Sequence, residues 1–374
     1  MGRTPLFAAE RAAKHERVLD FLAAHGLEAA LLSRRCNFSW YACGAARNYV
    51  GTADDVGVST LLVGREGAAV LANNIEAARL AAEDLPRTGI QLLDHPWHDA
   101  EARTRAFDRA LAGRRAAADA PVAGVRADPL PPEFNRLRWS LLPAEIERYR
   151  RVASDTVAAV EEAARAAEPG RTEDCLAGTL AAALRRRGLL PWVLLVGSDE
   201  RLARFRHPLP TPKRVERHFM LATCAERGGL IAAATRLASF GRIPADLAAR
   251  HEAVATVDAA LISATRPGRT LGDCFAGAQA AYRAAGFPEE WRHHHQGGSI
   301  GYLPREAKAA PGDPTAVLQD QAFAWNPTIA GTKCEDTVIC LADRTEPLAA
   351  PTGWPTVGAE WQGFRLDRPA ILAR

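Results

Sequence analysis

The sequence has no long apolar run, no closely paired cysteines and no block of like charge, and each absence removes a class of function. No stretch approaches the twenty or so apolar residues of a bilayer crossing, which excludes a transmembrane helix. The opening MGRTPLFAAERAAKHERVLDF is charged and amphipathic and lacks the continuous apolar core of a signal peptide, so a cytoplasmic location is expected. Seven cysteines (36, 43, 175, 224, 274, 334 and 340) make an odd set without a C-x-x-C motif. Reduced thiols buried as packing residues fit that set better than a disulfide framework. The 47 basic and 44 acidic residues leave a net charge of +3, with the arginines scattered along helical faces and not gathered into a basic arm. Nothing there calls for nucleic acid or a membrane surface, and a small molecule or peptide is the default substrate. There are ten histidines but no obvious metal-binding box, although His293, His294 and His295 stand together.

What is present is an ordinary globular balance, 48% hydrophobic and 24% charged over 374 residues, long enough for two domains. The first part reads as alternating helix and strand. A helix over 6–25 turns Val18, Leu19, Phe21 and Leu22 to a core, and strands are predicted at 28–33, 58–63, 68–73, 90–94 and 121–126, with a helix over 99–113. Such alternation predicts a mixed or parallel sheet. The proline-rich DPLPPEF at 128–134 precedes a change to long helices and places a boundary near 140, giving an α/β domain over 1–140 and an α+β domain over 141–374. The second part opens on a helix with Pro143 and Glu145 in its first turn and ends it at Pro169-Gly170.

One internal echo organises the second part. PGRTEDCLAGTLAAALRRRG from Pro169 and PGRTLGDCFAGAQAAYRAAG from Pro267 each offer a threonine N-cap, an early cysteine and a terminal glycine, and each is followed by a strand-rich segment. The pattern predicts a duplicated α+β half.

A duplicated helix-strand domain behind a smaller α/β domain, with LLPAEIERYR, GGLIAAATRLASFG, HHHQGGSIGY and GTKCEDTVIC in that order, resembles the pita-bread enzymes: methionine aminopeptidase, Xaa-Pro aminopeptidase, prolidase and creatinase. The resemblance covers nearly the whole chain and implies a creatinase-like N-terminal domain, a pita-bread catalytic domain and a homodimer. Peptidases of the family hold two divalent metals with two Asp, one His and two Glu. The resemblance places those positions on Ala222, Ala233, Gly298, Asn326 and Glu335, so a single carboxylate remains and no metal cofactor is expected. Creatinase is the precedent for a member that works without metal, through a histidine that shuttles a proton. Here that position falls on His207, in FRHPLPT.

Candidate residues follow partly from this resemblance and partly from their own chemistry. His207 sits between Arg206 and Pro208 in a loop stiffened by proline and is the expected general acid/base. If 291–296 enters as a strand, His294 and Gln296 share one face and His293 and His295 the other; the resemblance favours the first pair facing the cavity. The glycines at 297, 298 and 301 leave room for close approach of a ligand. Arg305 is the expected carboxylate clamp, by likeness to creatinase and by its forked guanidinium. Asn326 suits the orientation of an amide, urea or amidine group. Glu335, deprived of metal, needs Lys333, Arg236, a histidine or a proton as partner. Arg236 and Arg305 are expected to hold anionic parts of the substrate, with Lys333 and, from the N-terminal domain, Arg47 as further contacts.

The resulting expectation is a metal-independent, creatinase-like enzyme that hydrolyses, or as a lyase otherwise cleaves, an amide, ureido or amidine C–N bond of a small carboxylate-bearing amino-acid derivative or dipeptide-like molecule. His207, His294 and Glu335 would be catalytic, and Arg236, Gln296, Arg305, Asn326, Lys333 and Arg47 substrate-binding. Two alternatives stand beside it: a non-catalytic, ligand-binding pseudo-peptidase, and an Xaa-Pro aminopeptidase or mononuclear metal enzyme that uses Glu335 with the histidine run.

Overall fold

A computed structural model describes residues 7–374, which divide into two compact units, one ending at Arg138 and the other running from Trp139 to Arg374. In the first, α1 (Ala8–Ala24), β1 (Ala29–Arg34), α2 (Arg35–Tyr41), β2 (Val56–Gly64), β3 (Gly67–Asn73), α3 (Asn74–Arg79), β4 (Gln91–His95), α4 (Ala100–Leu111), β5 (Ala116–Ala118) and β6 (Asp128–Pro129) follow in order. The six strands form one mixed sheet, β4-β3-β2-β1-β5-β6, as the alternating pattern predicts. The strand expected over 121–126 is absent. Pro121 lacks a ladder donor and Gly124 turns the chain at φ +77°, so the strand that joins β1 is the alanine run at 116–118 instead.

The second unit begins with α5 (Pro143–Ala166), whose N-terminus is closed by Glu145 accepting from the Leu142 N–H at 2.9 Å. Then come α6 (Glu173–Arg186), β7 (Leu190–Ser198), α7 (Glu200–Arg204), β8 (His218–Arg227), β9 (Leu230–Ser239), α8 (Ala245–Ala264) and α9 (Leu271–Ala284). A 3₁₀ turn at Glu290–His293 precedes β10 (Gly297–Ile300), β11 (Ala307–Lys308), β12 (Gln321–Trp325), β13 (Thr328–Ile329), β14 (Thr332–Lys333), β15 (Thr337–Cys340) and β16 (Thr345–Pro347). The chain finishes on the hairpin β17 (Thr356–Trp361) and β18 (Phe364–Pro369), then β19 (Leu372–Ala373).

The echo in the sequence is an echo in structure. Thr172 caps α6 by accepting from Cys175 N–H at 3.1 Å, and Thr270 caps α9 by accepting from Asp273 N–H at 3.0 Å. Gly188 and Gly286, with positive φ, close the two helices. The first half lays β7-β8-β9 against α5 and α6; the second lays β10-β12-β15 against α8 and α9. The halves are sewn together where β9 meets 335–337: Thr235 N–H donates to Glu335 O at 3.0 Å, and Ala233 N–H to Thr337 Oγ1 at 2.8 Å. Every cysteine except Cys175 is buried and none is in a disulfide. No helix among the described residues is long and apolar enough to cross a membrane.

Candidate functional site

The seam between the halves holds a cavity of about 280 Å³, and the alternation of β8 explains part of its wall. Ala222 and Cys224 point the same way, so both line it, together with Val193 and Leu195 from β7. Ala233 and Thr235 pair with Cys224 and Ala222 across the β8–β9 ladder and therefore share that face. The second half contributes His295, Pro304, Arg305, Asn326, Lys333 and Glu335, and His207 enters from the loop before β8.

The His207 loop is fixed at two points. Pro208 packs so tightly on Gly197 that a Cβ there would lie 2.5 Å from the proline ring, and Arg206 pairs with Glu290 of the 3₁₀ turn at 2.5 Å. This ion pair joins the two halves beside the histidines. His207 Nε2 lies 3.0 Å from His294 Nε2, and the ring of His294 stacks on that of His295 with centroids 4.5 Å apart. One ligand nitrogen from each of the three rings falls within 4.8 Å of the other two. Two imidazole nitrogens 3.0 Å apart have room for a single proton, which the pair can pass across.

All three rings favour the neutral form. Burial and then Lys333 lower the His207 pKa, with Glu335 opposing. Burial also pushes His294 far down, helped by Lys333 and the neighbouring histidines, and it pushes His295 down to about 3, helped by Arg305 and Lys308. The unfolded chain takes up these protons near pH 6.5 whereas the folded protein resists them, so stability falls as pH drops below about 6.5. The expected slope in urea titrations is up to about 1.4 kcal/mol per pH unit for each of His294 and His295, and less for the exposed His207, where solvent screens the shift. The double substitution His294→Gln, His295→Gln should flatten it; an unchanged slope would contradict neutral rings at these positions.

Glu335 is buried with both oxygens in use. Oε2 takes Lys333 Nζ at 2.7 Å and the Thr235 hydroxyl at 2.7 Å, while Oε1 takes Arg305 Nη2 at 3.3 Å. Burial alone would raise its pKa, but the two cations and the hydrogen bonds outweigh it and hold the group ionised. The carboxylate thus fixes Lys333 and Arg305 beside it, with both oxygens engaged. Among the described residues, neither Arg305 Nε nor the buried carbonyl oxygen Oδ1 of Asn326 has a hydrogen-bond partner. The cavity therefore brings together a guanidinium, an ammonium, an amide oxygen and two imidazoles.

The expected residues divide accordingly. His207, Arg305, Asn326, Lys333 and Glu335 line one cavity, and His294 backs His207 from behind. Gln296 does not line it: its Oε1 accepts from Tyr282 OH at 2.9 Å and its Nε2 donates to His294 O at 2.6 Å, so it braces the histidine backbone. His295 takes the place expected for Gln296. The reason is that 290–293 is a 3₁₀ turn and the strand starts only at Gly297, so the two-residue alternation does not apply across the run. Arg236 is not brought to this cavity either. Its guanidinium is spent on Glu161 at 3.0 Å and Asp336 at 2.8 Å, and it lines a separate cavity of about 570 Å³ beside Trp354 and Arg368. Arg47 lies in the first unit, half-exposed, with Asp84 at 3.5 Å and Glu83 at 3.9 Å.

The glycine pair also serves a purpose different from the expected one. Gly297 and Gly298 have φ +96° and +152°, and a Cβ at either would overlap the carbonyl oxygen of Ala324 or Ala307. Strand backbone, not a ligand, fills the space beside them. Gly298→His is expected to destabilise the protein by at least about 1–3 kcal/mol. Chemical denaturation checks this, and a variant as stable as the parent would count against the close approach.

Cys224, Thr223, Val193 and Leu195 were not picked out from sequence. For Cys224 the signal was available, two residues from Ala222 on one strand. Its thiol is not an obvious nucleophile, since burial pushes its pKa up to about 11.

Residues 147–342 match the sequence profile of "Metallopeptidase family M24". No curated protein sequence matches the chain. Among solved structures, dipeptidase PepE from Mycobacterium ulcerans superposes with a TM-score of 0.72 at 19% identity, covering 100% of this chain and 99% of that one. The prolidase from Pyrococcus horikoshii OT3 gives 0.75 at 17% identity, over 91% and 98%. The Xaa-Pro dipeptidase from Bacillus anthracis gives 0.74 at 17%, over 97% and 100%. At these identities the likeness establishes the fold, which is the pita-bread fold expected from sequence.

Proposed function

The chain belongs to metallopeptidase family M24, and from that premise we propose that it hydrolyses a C–N bond of a small carboxylate-bearing amino-acid derivative without the metal pair the family name implies. The donor chemistry supports this. A pair of hard divalent ions needs several oxygen ligands, whereas among the described residues Glu335 is the one carboxylate lining the cavity and both its oxygens are engaged. Ala222 and Ala233 have no donor atoms to add. These side chains do not fit such a pair.

The observation that carries the reading is the 3.0 Å approach of His207 and His294 beside a wall of Arg305 and Lys333. The substrate carboxylate docks on that wall, where a guanidinium can take two oxygens. The unpaired Asn326 Oδ1 accepts an N–H of the scissile group. His207 takes a proton from water as it attacks the carbonyl carbon, and returns it to the departing nitrogen. His294 shares that proton while remaining reluctant to hold a second charge. The protein is expected to work in the cytoplasm as a homodimer.

The test is turnover of a panel of N-acyl and N-carbamoyl amino acids by exhaustively chelated protein. Persistent activity is expected, and activity that appears only on adding metal would sink the proposal. A second reading, cleavage of an Xaa-Pro dipeptide, is favoured by the activities named for the structural relatives and by the apolar Val193 and Leu195 wall. Xaa-Pro dipeptides in the same panel decide between them.

A further inference from the structure

We propose that His207, His294 and His295 form a mononuclear site for a borderline transition metal such as Zn²⁺, Ni²⁺ or Cu²⁺, apart from the positions where the resemblance places the family's metal ligands. The rings come from both halves, and one nitrogen from each lies within 4.8 Å of the others. A tetrahedral ion bound at about 2.0–2.1 Å to imidazoles separates neighbouring nitrogens by roughly 3.3 Å. The 3.0 Å between His207 Nε2 and His294 Nε2 is close to that edge. An ion there replaces the proton that the two rings share, so the loaded protein lacks the His207 base and the turnover proposed above belongs to the metal-free form. His295 is the weaker third arm: Gly297 N–H reaches its Nδ1 at 3.2 Å, and that contact must be released before the ring can turn a lone pair to the ion.

The surroundings tolerate the added charge. Of the cations that act on the three rings, Lys333 and Arg305 converge on Glu335 and Arg206 is paired with Glu290, while Lys308, which acts on His207 and His295, is exposed to solvent that screens it. The Arg206–Glu290 pair also holds the His207 loop against the turn that carries the other two rings. Three nitrogens with no oxygen ligand among them select zinc, nickel, cobalt or copper over magnesium or calcium. The site leaves a coordination position open toward the 280 Å³ cavity that His207 and His295 line.

The experiment uses tag-free, chelated, full-length protein carrying Cys175→Ser, which removes the one exposed thiol as a competing ligand. Co²⁺ is titrated and followed by visible absorption, and Zn²⁺ by calorimetry, with Mg²⁺ as the negative control. One Co²⁺ per chain is expected, displaced by Zn²⁺, with a Kd at or below about 1 μM. His294→Gln and His295→Gln should each weaken binding by at least about tenfold, while His95→Ala, a substitution on the first unit, leaves it unchanged. Should His294→Gln fail to fold, His207→Ala at the exposed ring serves in its place. The absence of saturable one-to-one binding overturns the proposal, as does binding that survives the histidine substitutions. No substrate is involved, so this result is independent of whether the chelated protein turns over.

Discussion

Replacing His207 by alanine is expected to lower kcat by roughly 10²–10⁴-fold while leaving the melting temperature close to that of the parent. The ring is exposed at the cavity mouth and packs into no core, so little stability depends on it. Its loss leaves His294 without a partner for Nε2, but His294 is too buried and too strongly biased to the neutral form to take over proton transfer. KM should change little, because Arg305 and Lys333 still hold the carboxylate. Steady-state kinetics on the best substrate of the panel, with a thermal melt as control, separates the outcomes. A raised KM at unchanged kcat would reduce His207 to a binding residue and remove the mechanism proposed for it.

The second large effect concerns stability. Lys333→Met leaves Glu335 buried with Arg305, 3.3 Å away, as its remaining cation, and breaking a buried pair from one side costs about 3–5 kcal/mol. For a domain of this size that corresponds to a fall in Tm of roughly 10 °C. The double variant Lys333→Met, Glu335→Leu removes both charges and should recover much of the loss, because apolar groups of similar volume can replace a buried pair at little cost. Activity should not return with it, since Arg305 loses the carboxylate that positions it. Calorimetry and turnover on the same samples check both halves of the expectation, and a double variant no more stable than the single one would show that the pair is not the unit of stabilisation.

Those two expectations rest on side-chain contacts, and these were the part least legible in the sequence. The duplicated helices were readable because capping is local: a threonine, its first-turn partner and a terminal glycine sit within twenty residues. The faces of β8 and β9 were not read from sequence: Ala222 and Ala233 came from the resemblance, and the ladder shows that they share a face with Cys224 and Thr235. His295 and Gln296 changed places because a four-residue 3₁₀ turn, held by Trp291 against Phe275, breaks the strand period where it mattered. Arg236 was one residue from the site in sequence but on the opposite face of β9, where Glu161 and Asp336 already claim it. The pairing of Glu335 was left open among Lys333, Arg236, a histidine and a proton. Only the fold shows Lys333, two residues before it, and Arg305, thirty residues before it, closing on it together.

The tight backbone at Gly298 carries an evolutionary consequence. The resemblance puts a metal-binding histidine at this position, yet any side chain here meets the Ala307 carbonyl before it can reach the cavity. Introducing a histidine here is therefore not a downhill step, because the clash costs stability whatever the new side chain could bind. Strand β11 would first have to move away from β10. Chains that share this close approach should thus keep glycine at this position for as long as β11 stays paired with β10.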